Sequence, residues 1–136
     1  MKKLLFLAFV MFSLTAVAQQ KAEITFEEKS HDFGNITEGE KAKHKFVFTN
    51  TGDAKLVLTN VKASCGCTTP EWPKEPILPG EKGHITAVYN SKGRPGKFHK
   101  SISVTSNAGN GVQVIYIKGV VNSGDGEGSS MLVPAE

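Results

Sequence analysis

Cys65 and Cys67 are the only cysteines in the 136 residues, and Gly66 separates them. Three chemistries are open to such a pair. The first is a local disulfide. Residues two apart come within bridging range only if the chain bends sharply, and Gly66 permits that bend. The ring closed is so small that its loop-entropy gain is only about 1.5 kcal/mol. Such a bridge would fix a turn or take part in thiol exchange rather than staple the fold. The second is a metal site. Two thiolates leave a closed zinc site two ligands short, and only His31, His44, His84 and His99 could complete it; none lies near the cysteines in sequence. Copper would draw on methionine, and beyond the apolar N-terminal stretch only Met131 remains. Haem attachment needs Cys-x-x-Cys-His, which this sequence lacks. The third is plain structure, two small thiols lining a turn. All three stay open, and no cofactor or metal is assigned.

The segment after the pair is Thr68-Thr69-Pro70-Glu71-Trp72-Pro73. Prolines stiffen a loop, and a rigid aromatic makes a good interface anchor, although such a tryptophan also serves to cap the end of a fold. A turn closed by Cys65 and Cys67 would orient Pro70, Trp72 and Pro73, which makes this loop the candidate interaction site. His31 beside Asp32 suggests a relay, but neighbours on an extended strand point to opposite faces, so His31 reads as a structural histidine. His44 shares parity with Phe46 and Phe48 and belongs at the rim of a core; His84 and His99 fall on outward faces. Nucleophile-elbow, phosphate-loop and His-Glu-x-x-His motifs are absent, and no residue is assigned a catalytic role. The protein is expected not to be an enzyme.

The elements that must position these residues are strands. No apolar pattern at three-and-four spacing runs for ten residues. Short runs rich in Val, Ile, Thr and Phe lie over 24–28, 31–36, 43–50, 56–61, 83–90, 97–105 and 112–121; most alternate in polarity, and 31–36 is broken by Gly34. The last run is apolar on both faces, as a central strand would be. Asn50-Thr51-Gly52-Asp53, Leu78-Pro79-Gly80-Glu81 and Gly93-Arg94-Pro95-Gly96 read as turns. About seven strands in about 100 residues predict an all-β, immunoglobulin-like antiparallel β-sandwich over residues 22–121. The antibody variety is not expected, because it needs two distant cysteines bridging the sheets around a tryptophan.

The flanks differ from this pattern. Met1-Lys2-Lys3, an apolar run over 4–14 and Ala16-Val17-Ala18 make a secretory signal peptide over 1–18. The run is too short to span a membrane, and no cysteine follows it for a lipid anchor. Cleavage after Ala18 would remove two lysines and no acid, lowering the formal charge from +3 to +1. Lys41, Lys43 and Lys45 alternate along a strand as a solvated face does, and nothing points to nucleic acid. Residues 122–136 are rich in Gly and Ser and read as a flexible tail.

One ordered series of motifs runs through the domain: His31-Asp32-Phe33-Gly34, Glu38-Gly39-Glu40, Phe46-Val47-Phe48-Thr49-Asn50-Thr51-Gly52, Ser64-Cys65-Gly66-Cys67-Thr68, Pro79-Gly80-Glu81, Arg94-Pro95-Gly96-Lys97-Phe98 and Lys118-Gly119-Val120. This series resembles the bacterial family catalogued as domain of unknown function 1573. That family is similar to the abnormal-spindle/hydin and major-sperm-protein branch of Ig-like folds, which are mostly non-enzymatic interaction modules. The resemblance implies the sandwich fold and an envelope location, periplasmic or extracellular, with an unknown protein or envelope component as partner. It implies no activity.

Overall fold

Eight strands form, most of them where polarity alternates. The computed structural model describes residues 18–124; nearly all of the expected signal peptide and most of the expected tail lie outside the described residues. In chain order the strands are β1 (Ile24–Phe26), β2 (Ser30–Thr37), β3 (Lys41–Asn50), β4 (Leu58–Ala63), β5 (Thr68–Glu71), β6 (Lys82–Asn90), β7 (Gly96–Ser106) and β8 (Gln113–Asn122). They make two four-stranded sheets, β1-β3-β6-β5 and β2-β8-β7-β4. β8 lies inside the second sheet, between β2 and β7, as a central strand, with its outward face open at Tyr116 and Lys118.

The inward faces meet as alternation requires. Ile24, Phe46, Phe48, Ile85, Ala87 and Tyr89 from the first sheet are buried against Leu58, Phe98, Ile102, Val104, Ile115 and Ile117 from the second. Each large side chain so buried contributes about 1.5–3 kcal/mol. Gly119 stands on the inward side of β8 beneath Phe98. A Cβ there would lie 2.9 Å from the Phe98 ring and from the Gly34 carbonyl oxygen, which explains a glycine in the middle of a central strand. Asn50, fully buried, ties the end of β3 to its surroundings. Its amide donates to the carbonyls of Ala54 at 2.8 Å and Ile77 at 2.9 Å, and its Oδ1 accepts from Gly52 N–H at 3.1 Å.

Three details depart from the sequence expectation. β5 is an additional strand, formed despite Pro70. Asn90 N–H donates to Cys67 O at 2.9 Å, and the register pairs Thr69 with Val88 and Pro70 with Ala87. By alternation Cys67, Thr69 and Glu71 face β6 with their hydrogen-bonding groups. The Pro70 nitrogen therefore points away from β6 and removes no ladder bond. The strand expected over 56–61 begins at Leu58 instead, and Leu56 forms an isolated bridge with Ile77. Finally, β2 pairs with β8 in parallel while every other pair is antiparallel. β1 and β2 run on through a three-residue crossing, Glu27 to Lys29, that changes sheets. A strand that crosses without reversing keeps its direction, and this places it parallel to β8.

Candidate functional site

Each lateral edge of the sandwich is closed by a short crossing between sheets, and the chemically distinctive residues sit on or beside these crossings. β4 and β5 are the edge strands on one side, β1 and β2 on the other.

On the first side the crossing is Ser64 to Cys67. Cys65 and Cys67 are disulfide-bonded, with Cα atoms 5.3 Å apart. Ser64 extends the pairing of β4 with β7, its N–H donating to Ser101 O at 2.9 Å and its Oγ accepting from Ser101 N–H at 3.2 Å. Cys67 is buried and begins the pairing with β6. The bridge thus spans the point where the chain leaves one sheet and joins the other. Thr68 N–H folds back toward Cys65 O at 3.5 Å. Thr68 and Pro70 are the β5 residues whose nitrogens face outward; the first is taken by the turn and the second carries no hydrogen. The open edge of β5 therefore offers acceptors and no free donor, a poor template for an added strand.

Trp72 follows directly. Its ring is half-buried against the core, and Lys74 Nζ lies 3.0 Å from the ring centroid, a cation–π arrangement. Trp72, Pro73, Ile77, Gly83 and His84 line an open groove of about 440 Å³ that Glu71 and Lys82 flank. The loop expected to present Pro70, Trp72 and Pro73 is thus divided: Pro70 is held in an edge strand, while Trp72 and Pro73 form one wall of a groove whose rim carries both signs of charge. His84 is exposed at this groove, and His99 is exposed on the second sheet, stacked on Tyr116 at 5.3 Å.

The opposite crossing holds a group that sequence spacing did not reveal. Glu28 from the crossing, His31 from β2 and His44 from β3 bring one ligand-capable atom each to within 4.8 Å of one another. β1 covers β3 only as far as the Phe26–Phe48 pair, so His44 lies beyond its cover and β2 passes over it from the other sheet. The imidazoles of His31 and His44 stack, with centroids 3.5 Å apart and planes 6° apart, and Phe33 and Phe46 meet them edge-on. Glu28 Oε1 contacts His44 Nε2 in a charge-assisted hydrogen bond. The His31 pKa is lowered from its ordinary 6.5, mainly by burial and then by the neighbouring His44, while Glu28 and Asp32 oppose the shift. Asp32 does not orient the imidazole. Its Oδ1 accepts from Gly34 N–H at 2.8 Å and holds the β2 bulge, where Gly34 adopts φ +67°. His44 stands at the rim of the core as its parity indicated. His31 makes no relay with Asp32; it packs on His44, which lies thirteen residues on and in the other sheet, a juxtaposition only the crossing creates.

The family model described as protein of unknown function DUF1573 matches residues 24–121. Among solved structures, a protein of unknown function from Porphyromonas gingivalis is similar at 18% identity and a TM-score of 0.66. The match covers 78% of this chain and 50% of that one, so the chain spans half the length of that relative. The ASH/PapD-like domain of human CEP192 is similar at 9% identity and a TM-score of 0.64, covering 76% of this chain and 87% of that domain. The VesB protease of Vibrio cholerae is similar at 12% identity and a TM-score of 0.57, covering 74% of this chain and 32% of the protease. At these identities the likeness is one of fold, the Ig-like sandwich of the PapD type. None of the curated proteins matches the chain.

Proposed function

The chain belongs to the DUF1573 family of proteins of unknown function, and from that premise we propose that it is an exported, non-enzymatic interaction module of the bacterial envelope. Its contact surface is the groove beside Trp72. The observation that carries the reading is the Cys65–Cys67 bridge at the β4–β5 crossing, which fixes the start of β5 and, four residues on, the tryptophan. A bridge over so short a ring adds little to global stability; its effect is local order, which is what a pre-organised contact surface needs. Disulfides persist in oxidising compartments, and this agrees with the signal-peptide pattern of residues 1–18. The blunted β5 edge directs recognition to side chains in the groove. Trp72 offers a large apolar face, and Lys82 and Glu71 offer charged contacts at its rim. A partner that inserts an apolar residue against Trp72 between two charged groups fits this geometry.

The test is affinity capture from solubilised envelope with mild crosslinking, comparing the native chain with Trp72→Ala and with His99→Ala on the other sheet. The reading predicts a captured component that is lost with Trp72→Ala and kept with His99→Ala. Equal capture by all three removes the groove from the account, and recovery of the chain from the cytosol with its first 18 residues intact removes export.

A further inference from the structure

We propose that Glu28, His31 and His44 form a binding site for one divalent transition-metal ion of the zinc class, which clamps the two sheets together where β1 crosses over to become β2. The first element is donor chemistry. Two imidazole nitrogens and one carboxylate oxygen are a set that zinc accepts, with a fourth position left for water. Hard cations such as Mg²⁺ and Ca²⁺ prefer all-oxygen sites and are disfavoured by two imidazoles. The second element is placement. The three donors come from three separate segments, the crossing, β2 and β3, and their ligand atoms already lie within 4.8 Å of one another. Donors about 2.0–2.2 Å from a tetrahedral ion sit about 3.4 Å apart, so the widest spacing must close by at most about 1.4 Å, while Glu28 and His44, now in direct contact, must part to admit the ion. Because the rings are parallel, one imidazole must tilt about its χ2 for the two lone pairs to converge. Glu28 is exposed, which gives an ion a route from solvent. The third element is support. Phe33 and Phe46 pack edge-on against the imidazoles, and Phe33 continues to Phe98 in the core. A cation held there would be anchored on one side by packed aromatics and open to water on the other.

The site contains neither cysteine, so it is separate from the disulfide and does not depend on the Trp72 groove. A bound ion would link β3 of one sheet to β2 of the other beside the crossing, adding to the contact that His31 and His44 already make. Binding to the folded state alone stabilises it by mass action, so zinc at about one-hundredfold excess over Kd should raise Tm by on the order of 10 °C in a domain of this size.

The experiment is calorimetric titration of the purified full chain with zinc chloride, paired with thermal melts with and without zinc. One zinc per chain is expected, with a matching rise in Tm. His44→Gln and Glu28→Gln should each weaken binding at least about tenfold, or about 1.4 kcal/mol. Glu28 is an exposed residue of the crossing, so Glu28→Gln keeps the fold and remains informative if His44→Gln does not. Cys65→Ala/Cys67→Ala and His99→Gln should bind zinc as the native chain does. The proposal is overturned if no zinc binds at millimolar concentration, if Glu28→Gln binds within about threefold of the native chain, or if binding is lost with the cysteines.

Discussion

Reduction of the Cys65–Cys67 bridge should loosen one turn and leave the sandwich folded. The two cysteines are separated by two positions, so the ring removed from the unfolded ensemble is minimal and the entropic contribution is about 1.5 kcal/mol at most. For a domain of about 100 residues, 1 kcal/mol moves Tm by about 4–8 °C, so the fall on reduction is bounded near 10 °C. The core keeps the melt cooperative, because Phe46, Phe48, Ile85, Ile102, Ile115 and Ile117 are fully buried without help from the bridge. The local effect is larger and has two reporters. Thr68 N–H points back to Cys65 O, and Asn90 N–H donates to Cys67 O. Both bonds depend on the closed turn. Circular dichroism melts with and without a phosphine reductant give the global effect. Amide hydrogen exchange gives the local one, with the paired Ile102 and Ile115 amides of β7 and β8 as the internal standard. The expected result is a cooperative melt shifted by less than about 10 °C, with Thr68 and Asn90 losing far more protection than Ile102 and Ile115. A fall of more than about 20 °C, or loss of cooperativity, would show that the bridge is a staple of the whole fold. Unchanged exchange at Thr68 would show that it does not order the turn.

Three further outcomes follow from the packing. Asn50→Ala strands the Ala54 carbonyl and the Gly52 N–H and leaves the Ile77 carbonyl with Leu56 N–H alone; a loss of about 2–3 kcal/mol in urea unfolding is expected, and a loss below about 0.5 kcal/mol would contradict the role given to that amide. Gly119→Ala places a Cβ 2.9 Å from the Phe98 ring and the Gly34 oxygen; a loss of about 1–3 kcal/mol is expected, against essentially none if β8 can yield. His31 has a lowered pKa in the fold, so below its ordinary value of 6.5 the unfolded chain takes up the proton first. The stability contribution is complete above pH 6.5 and is lost as pH falls through the lower folded value. In chelator-treated buffer the urea midpoint should fall between about pH 7.5 and about pH 5, and His31→Gln should flatten that fall; an equal slope in the variant would refute the assignment.

Period-two alternation made most of the fold legible. Ile24, Phe46, Ile85 and Phe98 are all inward, as the alternation in their runs required, whereas the 112–121 run, apolar on both faces, did not show which way Ile115 points. What was hidden depended on the ladder or on contacts between sheets. Pro70 reads as a loop residue, and only the alternation of hydrogen-bonding sides along β5 shows why a proline is tolerated there. The parallel β2–β8 pair was obscured because nothing local marks the crossing of Glu27 to Lys29 as a change of sheet rather than a reversal. The Glu28–His31–His44 group was missed for the same reason, since its members belong to segments brought together only by that crossing. The parity of His44 with Phe46 was the one signal available, and it gave the face without the partner. The cysteine pair and Trp72 were conspicuous by residue type, but the division of the Pro-Trp-Pro segment into edge strand and groove wall required the register with β6.

The central claim, an exported sandwich whose cysteine turn is closed where the protein works, is tested most directly by intact mass. The chain is taken from native cells into acid, alkylated without reduction, and weighed. The account predicts a chain beginning at Gln19 with neither Cys65 nor Cys67 alkylated. A chain retaining Met1 and carrying two alkyl groups would contradict it.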